Sequence, residues 1–226
     1  MTTLFSFNLK KNNGVIYNNK KNFIVKFYTN TKSVSKKKIL NEFKGYSWYF
    51  KILAKKSKKK FFIKKNLNSL FFTAFKGEKY SSYDGMIYNT SLLQKIINHY
   101  NFIWPKKNKV PFHGDLTFEN IIFLKNNKAI FIDWEFFNSK QDWGLDLCYF
   151  LISVIVLPPL SSGKTKIDND ELNIFKAFWK KIFYKKNYNY LNDPISFLKK
   201  NIYHHKDHFL YKISVTMKHQ INKSIL

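Results

Sequence analysis

Two clusters of residues in the stretch 110–137, VPFHGDLTFENIIFLKNNKAIFIDWEFF, have the types and spacing to do chemistry. The first is His113-Gly114-Asp115, with Asn120 five residues beyond the aspartate. The second is Asp133, which follows the apolar run Ala129-Ile130-Phe131-Ile132. A carboxylate such as that of Asp115 can orient an acceptor hydroxyl and take its proton. An amide oxygen and a second carboxylate, here Asn120 and Asp133, are hard ligands suited to Mg²⁺ carrying ATP phosphates. The set suits phosphoryl transfer, where positioning and charge neutralisation supply most of the catalysis.

The elements around these clusters explain how they meet. Ile121-Ile122-Phe123-Leu124 reads as a short buried strand and Lys125-Asn126-Asn127-Lys128 as a turn. The next apolar run is then the hairpin partner. Such a hairpin brings the loop before its first strand beside the residue that ends its second. Asp115, Asn120 and Asp133 are therefore expected to face one pocket. A hairpin with ordinary surface polar residues is the plainer alternative. Two motifs at compatible spacing weigh against it.

His113-Gly114-Asp115-Leu116 and Asp133-Trp134-Glu135 resemble the HGDL and D-W-E patterns of the aminoglycoside phosphotransferase and choline kinase superfamily. The likeness is closer than to the H-R-D-L and D-F-G of protein kinases. The resemblance implies an α+β, two-lobed protein-kinase-like fold. Residues 1–76 form a small antiparallel β N-terminal lobe that binds nucleotide and ends in a hinge. Residues 77–226 form a mainly helical C-terminal lobe for catalysis and substrate, within one kinase-like domain. ATP and Mg²⁺ are the implied cofactors, with Asp115 catalytic and Asn120 and Asp133 holding the metal. His113 is implied to brace the loop. Glu135 is a lesser candidate, for contact with a second metal through water. In Asp142-Trp143-Gly144-Leu145-Asp146-Leu147, the family pattern puts Asp146 at the start of a buried helix. There it caps the helix and bonds back to the catalytic loop.

The N-terminal part reads as strands at Leu4 to Leu9, Gly14 to Tyr17 and Phe23 to Tyr28. Lys26 lies inside the third, where the kinase pattern has the lysine that binds the α- and β-phosphates. A helix from Lys36 to Leu53 follows, with Ile39, Phe43, Tyr46 and Phe50 at helical spacing. Glu42 is its one acidic residue, and the resemblance pairs it with Lys26. Gly45 costs such a helix ~1 kcal/mol and is expected to permit close packing. Lys55 to Lys60 reads as a charged loop. Phe61 to Ile63 and Leu70 to Phe75 read as the remaining strands. Phe72, Ala74 and Phe75, before Gly77, resemble the family's hinge, whose backbone binds the adenine edge.

Beyond these, helices are expected at Thr90 to Tyr100, Glu171 to Tyr184, Pro194 to Tyr203 and Phe209 to Met217. The apolar run Leu147 to Leu160 holds Pro158 and Pro159 and is short for a membrane span, so it reads as a buried helix. Ser161-Ser162-Gly163-Lys164-Thr165 echoes the end of a phosphate-binding loop. Pro158 stands where the first glycine is required, so a plain loop is expected. His204, His205 and His208 lack a third metal ligand and read as surface histidines.

Composition bounds the rest. The chain has 226 residues, enough for one domain with a real core. With 45% hydrophobic and 19% aromatic residues it is expected to fold. Net charge is +26, from 40 basic and 14 acidic residues. A balance this basic raises nucleic acid or an anionic membrane as partner. Every basic residue counted is Lys, however, and specific phosphate and base recognition favours the Arg fork. No specific nucleic acid is expected, and much of the charge reads as a solvated Lys surface. Cys148 stands without a second cysteine and can form no intrachain disulfide. No signal-peptide pattern is seen at residues 1–30, and a cytoplasmic setting is expected.

The expected function is an ATP-dependent small-molecule kinase that phosphorylates a hydroxyl. Asp168, Asp170 and Glu171 cluster at a helix start, where capping explains them. That leaves few carboxylates for a polycation, so a sugar-like acceptor is favoured over an aminoglycoside. An amino alcohol also fits, held on aromatic faces. The alternatives are a kinase-fold binding module without turnover and a basic nucleic-acid-binding protein.

Overall fold

The computed structural model describes residues 3–8, 13–18, 23–28, 33–125, 128–203 and 206–225, with 3–8, 13–18, 28 and 33–35 described by backbone alone. Among these residues the chain is α+β, with small antiparallel sheets and six α-helices. β1 (Thr3–Asn8), β2 (Asn13–Asn18) and β3 (Phe23–Tyr28) form a meander. Two strands after the first helix, β4 (Ile63–Lys65) and β5 (Ser69–Thr73), complete a sheet of order β1-β2-β3-β5-β4. Lys26 thus lies on the central strand, opposite Val15 on one side and Leu70 on the other.

Helix α1 (Ser33–Ser57) packs by a stripe of Ile39, Tyr46, Tyr49, Phe50 and Leu53, all buried. Glu42 falls on that stripe, three residues after Ile39 and four before Tyr46, and is buried with it. The expected charged loop at 55–60 begins later than its composition suggests. Lys55 and Lys56 form the last turn of α1, where cations complement the helix dipole. Gly45 brings the helix close to the segment after Asp133. A Cβ at Gly45 would lie 2.6 Å from the Cβ of Trp134.

Helix α2 (Thr90–Ile103) starts at Asn89, whose side chain accepts the Leu92 N–H at 3.2 Å. β6 (Lys109–Phe112) leads into the stretch 113–120. β7 (Ile121–Phe123) and β8 (Ala129–Phe131) form the expected hairpin, with Ile121 opposite Phe131 and Phe123 opposite Ala129. After Phe137 the structure has a strand where a loop was expected. β9 (Asn138–Asp142) pairs antiparallel with β6. Its sequence NSKQD lacks apolar alternation, and its pairing comes from backbone groups offered by β6.

Helix α3 (Leu145–Ser161) is buried nearly all round, with Pro158 and Pro159 in its last turn. The phosphate-loop echo that follows is its terminating turn, closed by Lys164 N–H to Pro159 O at 2.8 Å. Helix α4 (Asn169–Phe183) opens with a capping box in which the Asp168 N–H reaches Glu171 Oε2 at 3.3 Å. α5 (Pro194–Asn201) is capped by Asp193. The single helix expected over 209–217 divides into a 3-10 turn (Phe209–Lys212) and α6 (Val215–Ile225). His204 and His205 lie outside the described residues. No described helix is long and apolar enough to cross a membrane.

An aromatic cluster joins these parts. Trp104 stacks on Tyr100 at 4.4 Å and on Trp134 at 6.0 Å, while Trp134 meets Tyr49 at 5.1 Å. Large rings in contact dominate the burial at such a junction. They tie α1, α2 and the residue after Asp133 into one core.

Candidate active site

Asp133 has φ +64°, a left-handed conformation uncommon outside glycine, though aspartate tolerates it better than most side chains. The peptide before it is gripped at both ends. Its N–H donates to the Tyr46 hydroxyl at 3.2 Å, and the Ile132 carbonyl accepts His113 Nε2 at 2.8 Å. The Ile132 N–H donates to the Asn120 carbonyl at 2.9 Å. The hairpin therefore places Asp133 against the loop that carries Asp115 and Asn120.

His113 is fully buried and serves both segments. Its Nδ1 accepts the Asp115 backbone N–H at 3.3 Å while Nε2 bonds Ile132. One nitrogen accepts, so the other carries the proton, and the ring is the neutral Nε2–H tautomer. Burial lowers its pKa to about 4, against the pull of the Ile132 carbonyl. The ring is a brace between two loops and carries no charge near pH 7.

Lys26 meets three carboxylates. Its Nζ lies 3.0 Å from Glu42, 2.8 Å from Asp133 and 2.8 Å from Glu135. Glu135 also pairs with Lys38 of α1 at 3.0 Å. Burial pushes the Glu135 carboxyl up, but Lys26 and Lys38 together hold it down, at about 2. The oxygens of Glu42, Asp133 and Glu135 lie within 4.8 Å of one another. They form a focus of negative charge that the Lys26 ammonium occupies, and Asp133, the most exposed of the three, offers the kind of hard oxygen donor that a divalent cation such as Mg²⁺ takes.

Asp115 is fixed from several directions. Asn120 Nδ2 donates to its carbonyl at 2.7 Å and to its Oδ2 at 3.1 Å, and the Tyr149 hydroxyl donates to Oδ1 at 3.0 Å. Gly114 has φ +88°, and a Cβ there would lie 2.5 Å from the Phe136 carbonyl oxygen. Only glycine meets both demands without strain. Asp146 differs from the expectation of a helix cap. Gly144 holds the cap position of α3, and Asp146 sits in the first turn. Its carboxylate accepts the backbone N–H groups of His113 (3.0 Å) and Gly114 (3.1 Å). Burial raises its pKa to about 7, with those two N–H groups pulling the other way.

The structure thus brings Lys26, Glu42 and Asp133 into one cluster, and links it through His113 to Asp115, Asn120 and Asp146. Phe72 and Ala74 are buried and Phe75 half-buried. Phe72 stacks on Tyr46 at 4.6 Å, one ring away from Asp133. A cavity of about 1030 Å³ opens beside Asp115 and Glu135, with Lys38, Asn41, Tyr203 and His208 on its walls.

Sequence reasoning missed four contributors: Tyr46, Lys38, Tyr149 and His208. Tyr46 follows Glu42 by four residues and Tyr149 follows Asp146 by three, so each shares a helix face with a residue already singled out. That signal was present. His208 is not the surface histidine expected, since its Nε2 lies 3.2 Å from the Tyr149 hydroxyl. No family model and no curated protein matches the chain.

Proposed function

We propose that the protein is an ATP-dependent phosphotransferase that transfers the γ-phosphoryl group to a hydroxyl of a small molecule, on a two-lobed protein-kinase-like framework. The observation that carries this reading is the Lys26–Glu42–Asp133 cluster, joined through His113 to the loop of Asp115 and Asn120. A lysine held by a helix glutamate, a catalytic-loop Asp and Asn five apart, and a second Asp are the recurring parts of kinase catalysis.

In this reading Lys26 binds nucleotide phosphates, and Glu42 keeps its ammonium from swinging away. Asn120 and Asp133 hold Mg²⁺, whose contribution is to neutralise phosphate charge. Asp115 orients the acceptor hydroxyl and takes its proton. Phe72, Ala74 and Phe75 border the adenine site. The acceptor lies in the cavity beside Asp115, whose Lys and Asn walls suit a sugar-like compound; an amino alcohol is the second choice.

The test measures phosphate release and transfer from Mg-ATP across sugars, amino alcohols and aminoglycosides, alongside RNA and DNA binding at several salt concentrations. Turnover lost by several orders of magnitude in Asp115→Ala, with ATP binding retained, is the expected result. Tight, salt-sensitive nucleic-acid binding with no turnover defeats the proposal.

A further inference from the structure

Asp115 is held by residues from far along the chain. The Tyr149 hydroxyl, on α3, donates to Asp115 Oδ1 at 3.0 Å. The same hydroxyl oxygen lies 3.2 Å from His208 Nε2. The direction of that second contact follows from the other ring nitrogen. His208 Nδ1 accepts the Leu210 N–H at 3.3 Å, so the imidazole proton resides on Nε2. His208 therefore donates to Tyr149. An ionised carboxylate only accepts, so the one proton of Tyr149 goes to Asp115. The chain His208 → Tyr149 → Asp115 runs in a single direction.

Its members are packed to stay in place. Tyr203 stacks on Tyr149 at 4.8 Å and on His208 at 4.3 Å, and its hydroxyl donates to the Gly114 carbonyl. Tyr149 is 1% exposed, on a helix that is otherwise nearly all apolar. Phenylalanine would fill the same space and stack on Tyr203. What the buried hydroxyl adds is its contact with Asp115 and His208, and a buried hydroxyl is costly without such partners.

We propose that Tyr149 and His208 are positioning residues that fix the rotation of the Asp115 carboxylate, so that it presents one orientation to an acceptor in the cavity lined by Asp115, Tyr203 and His208. With Asn120 on Oδ2 and Tyr149 on Oδ1, both carboxylate oxygens are tethered. The role in transfer rests on the phosphotransferase reading; the hydrogen-bond chain does not.

The experiment uses the full chain and has two arms. In the first, ¹⁵N-histidine spectra are recorded for wild type, Tyr149→Phe and Asp115→Ala, with His208 assigned from His208→Gln. The expected result is the Nε2–H tautomer in wild type and a moved Nε2 signal in both variants, with the melting temperature of Tyr149→Phe within a few degrees of wild type. An Nδ1–H tautomer, or a His208 signal indifferent to both changes, overturns the proposal. The second arm follows Mg-ATP hydrolysis with water as acceptor. Tyr149→Phe and His208→Ala lower kcat by about 10- to 100-fold, the scale of a misplaced catalytic group, with the KM for ATP within about twofold. His208→Gln, which keeps an N–H near Nε2, restores most of the rate. An unchanged kcat in Tyr149→Phe overturns the positioning role. Absence of ATP turnover in wild type defeats the phosphotransferase reading instead, and the spectra then decide the hydrogen-bond chain.

Discussion

The Tyr46 hydroxyl accepts the Asp133 backbone N–H at 3.2 Å, and so a residue of the first long helix holds the conformation of an aspartate 87 positions later. His113 holds the carbonyl of the same peptide at 2.8 Å. A left-handed non-glycine residue costs ~1–3 kcal/mol. Two part-buried hydrogen bonds at ~1 kcal/mol each, plus the Lys26 ion pair, offset a cost of that size.

Tyr46→Phe tests this grip. Leaving this part-buried N–H without its partner is expected to lower the unfolding free energy by ~1 kcal/mol. Tyr49→Phe is the control, because its hydroxyl accepts the Phe131 N–H at 3.0 Å without touching Asp133. Both variants lose stability in urea titrations. Only Tyr46→Phe is expected to lose Mg-ATP affinity by calorimetry, and equal affinities in the two would separate Tyr46 from the site.

Lys26 offers a second test. Lys26→Met leaves Glu42 and Glu135, 1% and 4% exposed, facing each other without their shared cation. Breaking a buried pair this way costs ~3–5 kcal/mol. Glu42→Gln leaves Lys26 with Asp133 and Glu135 and is expected to cost less. ATP affinity should follow the same order. Equal and negligible losses in both variants would show that the cluster is unimportant.

Gly114→Ala is expected to abolish turnover and destabilise the protein. The left-handed backbone alone costs ~1–2 kcal/mol for a residue with a Cβ. The contact 2.5 Å from the Phe136 carbonyl oxygen adds a displacement of the segment after Glu135. Gly163→Ala calibrates the first cost, since φ is +72° there and an added Cβ meets nothing within 4 Å. The difference in denaturation midpoint between the two variants isolates the clash.

Acid should weaken the fold through buried neutral histidines. Burial lowers the His99 pKa to about 3, with the Lys128 charge acting in the same direction. The folded pKa lies below the unfolded one, so the unfolded chain binds more protons as pH falls. This contribution to stability is present above pH ~6.5 and shrinks by ~1.4 kcal/mol per pH unit below it. His113 acts with the same sign down to about pH 4. Asp146, raised to about 7, acts oppositely: its folded state binds more protons, so its own contribution improves as pH falls from 7 towards the ordinary carboxylate range. Comparing wild type with His99→Gln, denatured at pH 7, 6 and 5, isolates one histidine. The variant should show a shallower loss with acid, and identical slopes would refute the assignment.

Much of the local structure was legible because its causes are local. The hairpin of Ile121–Phe123 with Ala129–Phe131 follows from two apolar runs around a polar turn. α2 and α4 follow from helical spacing with a cap or capping box. The close approach of α1 at Gly45 was legible from a mid-helix glycine, whereas its partner Trp134 and the burial of Glu42 came only with the packing. β9 was not legible, since a polar run such as NSKQD carries no strand pattern and pairs only because β6 is beside it. The split of 209–217 was hidden by an apolar spacing that serves a 3-10 turn and an α-helix alike.

The same division holds at the site. Residue types and intervals alone singled out Asp115, Asn120 and Asp133 as candidates for phosphoryl transfer, and the family resemblance added Lys26 and Glu42 as candidates. Tertiary structure decided that Lys26 meets Glu135 as well as Asp133, that Tyr46 and His113 hold one peptide from both ends, and that His208 reaches Asp115 through Tyr149. Chemical identity is written residue by residue. Which hydroxyl meets a carboxylate 34 positions away, or a backbone N–H 87 positions away, depends on how helices and strands pack, and that is a property of the whole core.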